Sequence, residues 1–185
     1  MPKNSLLKGV NLYLVGMMGS GKTTVGRLLA EQLGYRFIDT DAVIEQYTRR
    51  SISQVFAEYK EEAFRQLESK VLAEVCPNTH LAIATGGGIV IRQENWSYLH
   101  HGLVVWLDVP VEEIHTRLAA DNTRPLLQNV NLKQTLRSLY QQRQSLYAQA
   151  DLHITPSPEE TPEQIAARVL AQIPTVLKQG VGISE

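Results

Sequence analysis

Short unbroken apolar runs alternate along this chain with longer stretches of helical period. Val10–Val15, Leu81–Ala84, Leu103–Leu107 and Leu152–Ile154 carry the runs, and Arg36–Ile38 reads as a further strand. Runs of this length and composition suit strands buried on both faces. Between them, helical spacing marks Lys22–Leu33, Asp41–Tyr47, Ile52–Glu58, Glu61–Val75, Val111–Ala119, Leu132–Ala148 and Pro162–Ile173. The sixth of these is long, and the last begins with proline in its first turn, where a missing N–H costs nothing. Strand–helix alternation predicts an α/β fold with a parallel sheet covered on both faces. Asp121–Asn131 is polar and reads as a surface loop, and from Val176 to Glu185 the periodicity is lost, so a frayed tail is expected. No repeat or low-complexity linker interrupts the pattern, which makes residues 1–185 one domain.

Composition narrows the partners. The 185 residues are 43% hydrophobic and carry 18 basic and 19 acidic side chains, a formal net charge of −1. That balance gives no electrostatic case for nucleic acid or an anionic membrane. A single cysteine, Cys76, excludes an intrachain disulfide and a thiolate zinc cluster, and reads as a partly buried residue near a helix end. The five histidines show no metal-ligand spacing. No apolar run approaches membrane-spanning length and the first residues lack a signal-peptide core, so a cytoplasmic location is expected.

Gly16-Met17-Met18-Gly19-Ser20-Gly21-Lys22-Thr23 fits G-x-x-x-x-G-K-[ST], the Walker A pattern, between an apolar strand and a helix. Glycines let backbone N–H groups turn inward around phosphates, Lys22 adds charge near the β- and γ-phosphates, and the Thr23 hydroxyl can ligate Mg²⁺. The helix that starts there lays its positive end under the same anion. No Asn-Lys-x-Asp is present for guanine, and there is no second domain to be driven. Leu103–Asp108 superficially resembles a Walker B strand, but with Asp39 available for the metal, Asp108 reads as the start of the next helix.

Other residues gain meaning by position. Asp39 and Asp41, two apart at the end of an extended segment, point to the same side and should face a cleft beyond the strand ends. Asp39 could hold Mg²⁺ through water and Asp41 could accept a hydroxyl proton; helix capping is the competing reading for both. Gly86-Gly87-Gly88 follows a strand directly and suits close approach to a ligand. Glu68, three residues after Arg65, is placed to orient its guanidinium. Arg143 lies on the long helix, and Arg124 before Pro125 suits a lid arginine reaching the transferred phosphoryl group.

Together these motifs resemble shikimate kinase, from about Val10 to Ile173. The residues that carry the likeness are GMMGSGKTT, Phe37-Ile38-Asp39-Thr40-Asp41, Glu62–Glu68 (EAFRQLE), Thr85-Gly86-Gly87-Gly88, Arg124-Pro125-Leu126-Leu127, and Arg143 before Leu146-Tyr147. The first motif is shared by several kinases; the combination in this order is far more specific. The resemblance implies a three-layer P-loop NTPase fold with a five-stranded parallel sheet flanked by helices, a lid at about 119–131 and a helical substrate-binding region at about 40–70. It implies transfer from ATP to the 3-hydroxyl of shikimate, with one Mg²⁺.

By the family's pattern, Gly19, Ser20, Gly21, Lys22, Thr23 and Thr24 hold the phosphates. Asp41 contacts the ring hydroxyls, and Arg65 and Arg143 bind the carboxylate. Gly87 approaches the substrate, with Gly86 and Gly88 shaping the turn, and Lys22 and Arg124 stabilise the phosphates. Thr23 and Asp39 serve the metal, and Arg117 and Pro162 flank the adenine. Chemistry agrees: a small anionic polyol needs guanidinium for its carboxylate and carboxylate for its hydroxyls. The family often has glycine where Lys60 precedes Glu61, which bears only on the local turn. Two other readings stay open: a kinase for another polyol acid such as gluconate, and a catalytically dead regulatory module, which the intact Lys22, Asp41 and arginines disfavour. A monomer is expected.

Overall fold

A computed structural model of the chain describes residues 6–119 and 131–179. Five strands form one sheet: β1 (Leu12–Val15), β2 (Arg36–Asp39), β3 (Leu81–Ala84), β4 (Leu103–Leu107) and β5 (Leu152–Ile154). Their order is β2-β3-β1-β4-β5 and every pair is parallel. The connecting helices are α1 (Lys22–Leu33), α2 (Thr40–Thr48), α3 (Ile52–Val75), α4 (Gln93–Leu99), α5 (Val111–Ala119), α6 (Leu132–Tyr147) and α7 (Pro162–Gln179).

Strand alternation divides the core between the two faces. Leu12 and Leu14 of β1, with Leu103, Val105 and Leu107 of β4, join Val25, Leu29 and Leu33 of α1 and Val169 and Ile173 of α7. The intervening Tyr13, Val15, Val104 and Trp106 join Phe64 and Leu72 of α3, Ile114 of α5, and Leu136 and Tyr147 of α6. Each fully buried aliphatic side chain contributes roughly 1.5–3 kcal/mol. The sheet is thus a middle layer, and β1 needs apolar residues at every position.

β1 sits between β3 and β4, so the chain leaves it for opposite edges of the sheet, and a crevice opens beyond its carboxyl end. The Walker A loop follows β1 and the three-glycine turn follows β3, the neighbouring strand, which brings both motifs to that crevice.

Some boundaries differ from the sequence expectation. β1 begins at Leu12, and Val10 ahead of it is exposed. The helix expected to end at Ile173 continues through Pro174 to Gln179, so Val176 is helical and packs on the α1 side of the core; residues 180–185 of the expected tail lie outside the described residues. α4 and the 3-10 turn at Ile89–Ile91 carry no helical period of useful length. They are held by buried Trp96 and Leu99, and by Asn95 Nδ2 donating to Ile89 O at 2.7 Å.

The two helices expected at Ile52–Glu58 and Glu61–Val75 run together as α3 but break at Lys60, with φ 61° and ψ 170°. That backbone region is essentially reserved for glycine and costs a side-chain-bearing residue about 1–3 kcal/mol. Glycine forfeits ~0.5–1 kcal/mol through its freer unfolded chain. Lys60→Gly is therefore expected to raise stability by about 1 kcal/mol, read as a higher urea midpoint with an unchanged slope. A lower midpoint would show that Lys60 carries no strain.

Candidate active site

The Walker A loop turns on glycines with positive φ, among them Gly16 at 142° and Gly21 at 90°, which N-caps α1. A Cβ on Gly16 would sit 2.6 Å from Leu107 O, so the loop can lie this close to β4 only without one. Lys22 Nζ donates to Gly16 O at 2.8 Å and Met17 O at 2.7 Å, and to Ser20 Oγ at 3.3 Å. Its ammonium is held over the loop at the head of α1. Thr23 Oγ1 donates to Asp39 Oδ2 at 2.7 Å, which joins the start of α1 to the end of β2.

The capping reading of Asp39 holds, and it uses only one of the two carboxylate oxygens. Its Oδ1 accepts from Asp41 N at 3.0 Å and Ala42 N at 3.3 Å, capping α2, while Oδ2 faces Thr23. A cleft of about 540 Å³ runs over the loop, with Lys22, Thr23, Asp39, Asp41 and Gly87 along it; Gly19, Ser20, Gly21 and Thr24 line it as well. Arg117 and Pro162 also line this cleft. Arg117 Nη1 donates to Gly19 O at 3.2 Å, and its guanidinium also pairs with Glu113.

A second group of charged side chains gathers around the glycine turn. Thr40 Oγ1 accepts from Gly86 N at 3.1 Å, fixing the turn to the start of α2. A Cβ on Gly86 would lie 2.6 Å from Glu68 Oε1 and 2.8 Å from Asp41 Oδ1, and one on Gly88 only 2.0 Å from Arg65 Nη1. The glycines thus admit three charged side chains against the backbone. Arg65 Nη1 pairs with Glu68 Oε2 at 2.6 Å, its Nη2 lies 3.5 Å from Glu61 Oε1, and its buried Nε has no acceptor among the described residues. Burial pushes the Glu68 carboxyl up from the ordinary range, and the Arg65 charge pulls it back. From α6, buried Arg143 reaches Gly87 O at 3.4 Å, and Tyr147 OH donates to the same carbonyl at 2.5 Å.

The fold therefore gathers the loop residues, Asp39, Asp41, Gly87, Arg117 and Pro162 along one cleft, while Arg65 and Arg143 pack against the Gly86–Gly88 turn at its edge. Arg124 and the lid around it lie outside the described residues. Asp108 takes no place on this cleft: it accepts from Tyr140 OH at 3.0 Å and contacts His153 Nε2 at 2.8 Å. Burial, and then Asp108, push the Tyr140 phenol up to about 12. Sequence reasoning does not single out Thr40 or Tyr147 as site residues. The available signals are position alone: Thr40 stands between two aspartates, and Tyr147 one turn beyond Arg143, on the same helix face.

Comparison with known proteins agrees with this geometry. A family model described as shikimate kinase matches residues 18–174. The chain is 65% identical over 176 residues to a shikimate kinase of Nostoc sp., covering 95% of this chain and 97% of that one. The chain belongs to the shikimate kinase family.

A family relative from Nostoc punctiforme, also named shikimate kinase, is 66% identical over 175 residues, or 95% of this chain and 97% of that protein. Among solved structures, the shikimate kinase of Acinetobacter baumannii in complex with shikimate superposes with a TM-score of 0.88. It shares 39% identity and covers 97% of this chain and 99% of that one. A gluconokinase from Sinorhizobium meliloti superposes with a TM-score of 0.59 at 13% identity, with 92% and 95% of the two chains covered, a likeness of fold alone. The shikimate kinase family thus accounts for the five-stranded parallel sheet and for the order of motifs along it. Its frequent glycine before the Glu61 position falls where Lys60 holds the positive-φ break in α3.

Proposed function

We infer that this protein is a shikimate kinase that transfers the γ-phosphoryl group of ATP to the 3-hydroxyl of shikimate, giving shikimate 3-phosphate and ADP. The observation that carries this reading is the meeting of two chemistries in one crevice. A phosphate loop with Lys22 lies beside a glycine turn walled by Arg65, Arg143 and Asp41. A small acid with ring hydroxyls needs that second set. Arg65, with its buried Nε lacking an acceptor among the described residues, and Arg143 suit the carboxylate; Asp41 suits the hydroxyls.

In the transfer, the 3-hydroxyl oxygen bonds to the γ-phosphorus and gives up its proton, to Asp41 or to solvent, as the bond to the β-phosphate oxygen breaks and ADP leaves. The transition state spreads charge over three equatorial oxygens, so the protein acts by position and electrostatics. Loop N–H groups and Lys22 hold that charge, Asp41 orients the hydroxyl, and Arg117 with Pro162 flanks the adenine. Thr23 and Asp39, a hydroxyl and a carboxylate 2.7 Å apart, are hard oxygen donors that fit Mg²⁺. When bound, that ion neutralises charge on the β- and γ-phosphates. Arg124 is assigned the lid role from its motif. No helix among the described residues is long and apolar enough to cross a membrane; a cytoplasmic, single-domain monomer is our reading.

ADP release with Mg-ATP, measured against shikimate, gluconate and nucleoside monophosphates, tests the assignment. Release with shikimate alone is expected. Release only with another acceptor would discard the acceptor assignment, and none at all despite ATP binding would indicate a regulatory module. Arg143→Ala is expected to raise the shikimate KM about 30-fold, the loss of a charged hydrogen bond, with ATP affinity retained. An unchanged KM would remove Arg143 from the carboxylate site.

A further inference from the structure

We propose that Tyr147 is a positioning residue for the acceptor: its hydroxyl occupies the Gly87 carbonyl and so leaves the Arg143 guanidinium for the substrate carboxylate. The proposal rests on the shikimate kinase reading above.

Tyr147 closes α6 and is fully buried. Its ring stacks on Trp106 of β4, with centroids 5.7 Å apart and planes at 28°. The hydroxyl lies 3.8 Å from Met17 Sδ of the phosphate loop and donates to Gly87 O at 2.5 Å. Burial pushes the phenol upward and the neighbouring Arg143 guanidinium, by charge and by hydrogen bond, pulls it part of the way back; the phenol stays above its ordinary value, and its short contact with the carbonyl is that of a donor.

Arg143, one turn earlier on α6, addresses that same carbonyl at 3.4 Å. The two donors are unequal: the phenol makes the short contact and the guanidinium a long one. A half-buried carbonyl deprived of its hydroxyl partner draws on the nearest donor, which restores the lost hydrogen bond. Without the phenolic oxygen that donor is Arg143, and its charge would be drawn to the backbone. The sheet holds the ring, so the hydroxyl also registers the glycine turn against β4 and the phosphate loop. A Cβ on Gly87 would stand 3.2 Å from Met18 N, which shows how close turn and loop lie.

Tyr147→Phe removes one oxygen and keeps the stack. It is expected to raise the shikimate KM about 5- to 10-fold, more than it changes kcat, with ATP Kd unchanged. In an Arg143→Ala background the same substitution should change KM less than about twofold, because both act through one guanidinium. An unchanged KM in the single variant overturns the proposal, as does an equal rise in both backgrounds, the mark of a merely structural role.

A second measurement does not depend on the variant's folding. 3-Fluorotyrosine placed at position 147 keeps the hydroxyl, and shikimate should move its fluorine resonance while the non-transferable ATP analogue AMP-PNP alone does not. No movement with shikimate overturns the proposal. The unsubstituted enzyme is assayed alongside: its failure to turn over shikimate would sink the functional reading, whereas normal turnover with an unmoved Tyr147→Phe KM sinks this proposal alone.

Discussion

Lys22→Ala is expected to lower kcat for ADP formation by about 10³-fold, with shikimate affinity preserved. The ammonium sits at the head of α1, inside the ring of loop backbone, and its Nζ is within 2.8 Å of the Gly16 and Met17 carbonyls. A single preorganised donor at developing charge contributes roughly 10²–10³ in rate, and here the donor carries a full charge in a buried position. Alanine also strips a donor from two carbonyls at about 1 kcal/mol each, so loop geometry suffers too. A thermal melt separates the two effects. A melt lowered by a few degrees with kcat down about 10³-fold is the expected pair. A kcat within about tenfold of the unsubstituted enzyme would exclude Lys22 from charge stabilisation.

The parts of this fold that the sequence discloses are those in which one local rule acts alone. β1, β3 and β4 are buried on both faces, so they read as unbroken apolar runs. α1 has a sharp start at the loop and an end at Gly34, whose N–H returns to Ala30 O and Glu31 O. Pro174 shows where local rules mislead. It signals a stop, but Ile173 and Val176 on either side pack on the α1 face of the core. That packing outweighs the local signal, and the helix runs on through Pro174 to Gln179.

The site is legible where its chemistry lies in a contiguous motif. The Walker A loop needs its residues in sequence, so it can be read as it stands. Arg65, Gly86–Gly88 and Arg143 come from three distant segments; the family resemblance groups them, but no local pattern does, and the fold supplies the contacts by which they meet. Tyr147 is hidden for a further reason. An aromatic at helical spacing reads as core, and it is core, but its hydroxyl also reaches the Gly87 carbonyl. Asp39 likewise makes two contacts, one for each carboxylate oxygen: Oδ1 caps α2 and Oδ2 accepts from Thr23, so capping does not take it from the cleft it lines.

Asp41→Asn is expected to cut kcat by about tenfold while ATP affinity holds. Asp41 stands in the first turn of α2 and lines the cleft, beside a turn so close that a Cβ on Gly86 would lie 2.8 Å from its Oδ1. Asparagine keeps this shape and one acceptor oxygen, but loses charge and basicity. The size of the loss separates two mechanisms. A group that only orients the 3-hydroxyl can be replaced at a cost of about tenfold, the loss of one charged hydrogen bond, and the pH profile of kcat should keep its acid limb. A group that also takes the proton costs about 10²-fold or more, and the acid limb disappears with it. Full activity would place Asp41 outside the acceptor site altogether. Glu68 is not placed for the role, because its Oε2 is engaged by Arg65 at 2.6 Å and its side chain is not among those that line the cleft. Its carboxylate serves the guanidinium, and Asp41 is the carboxylate beside the glycine turn that lines the cleft.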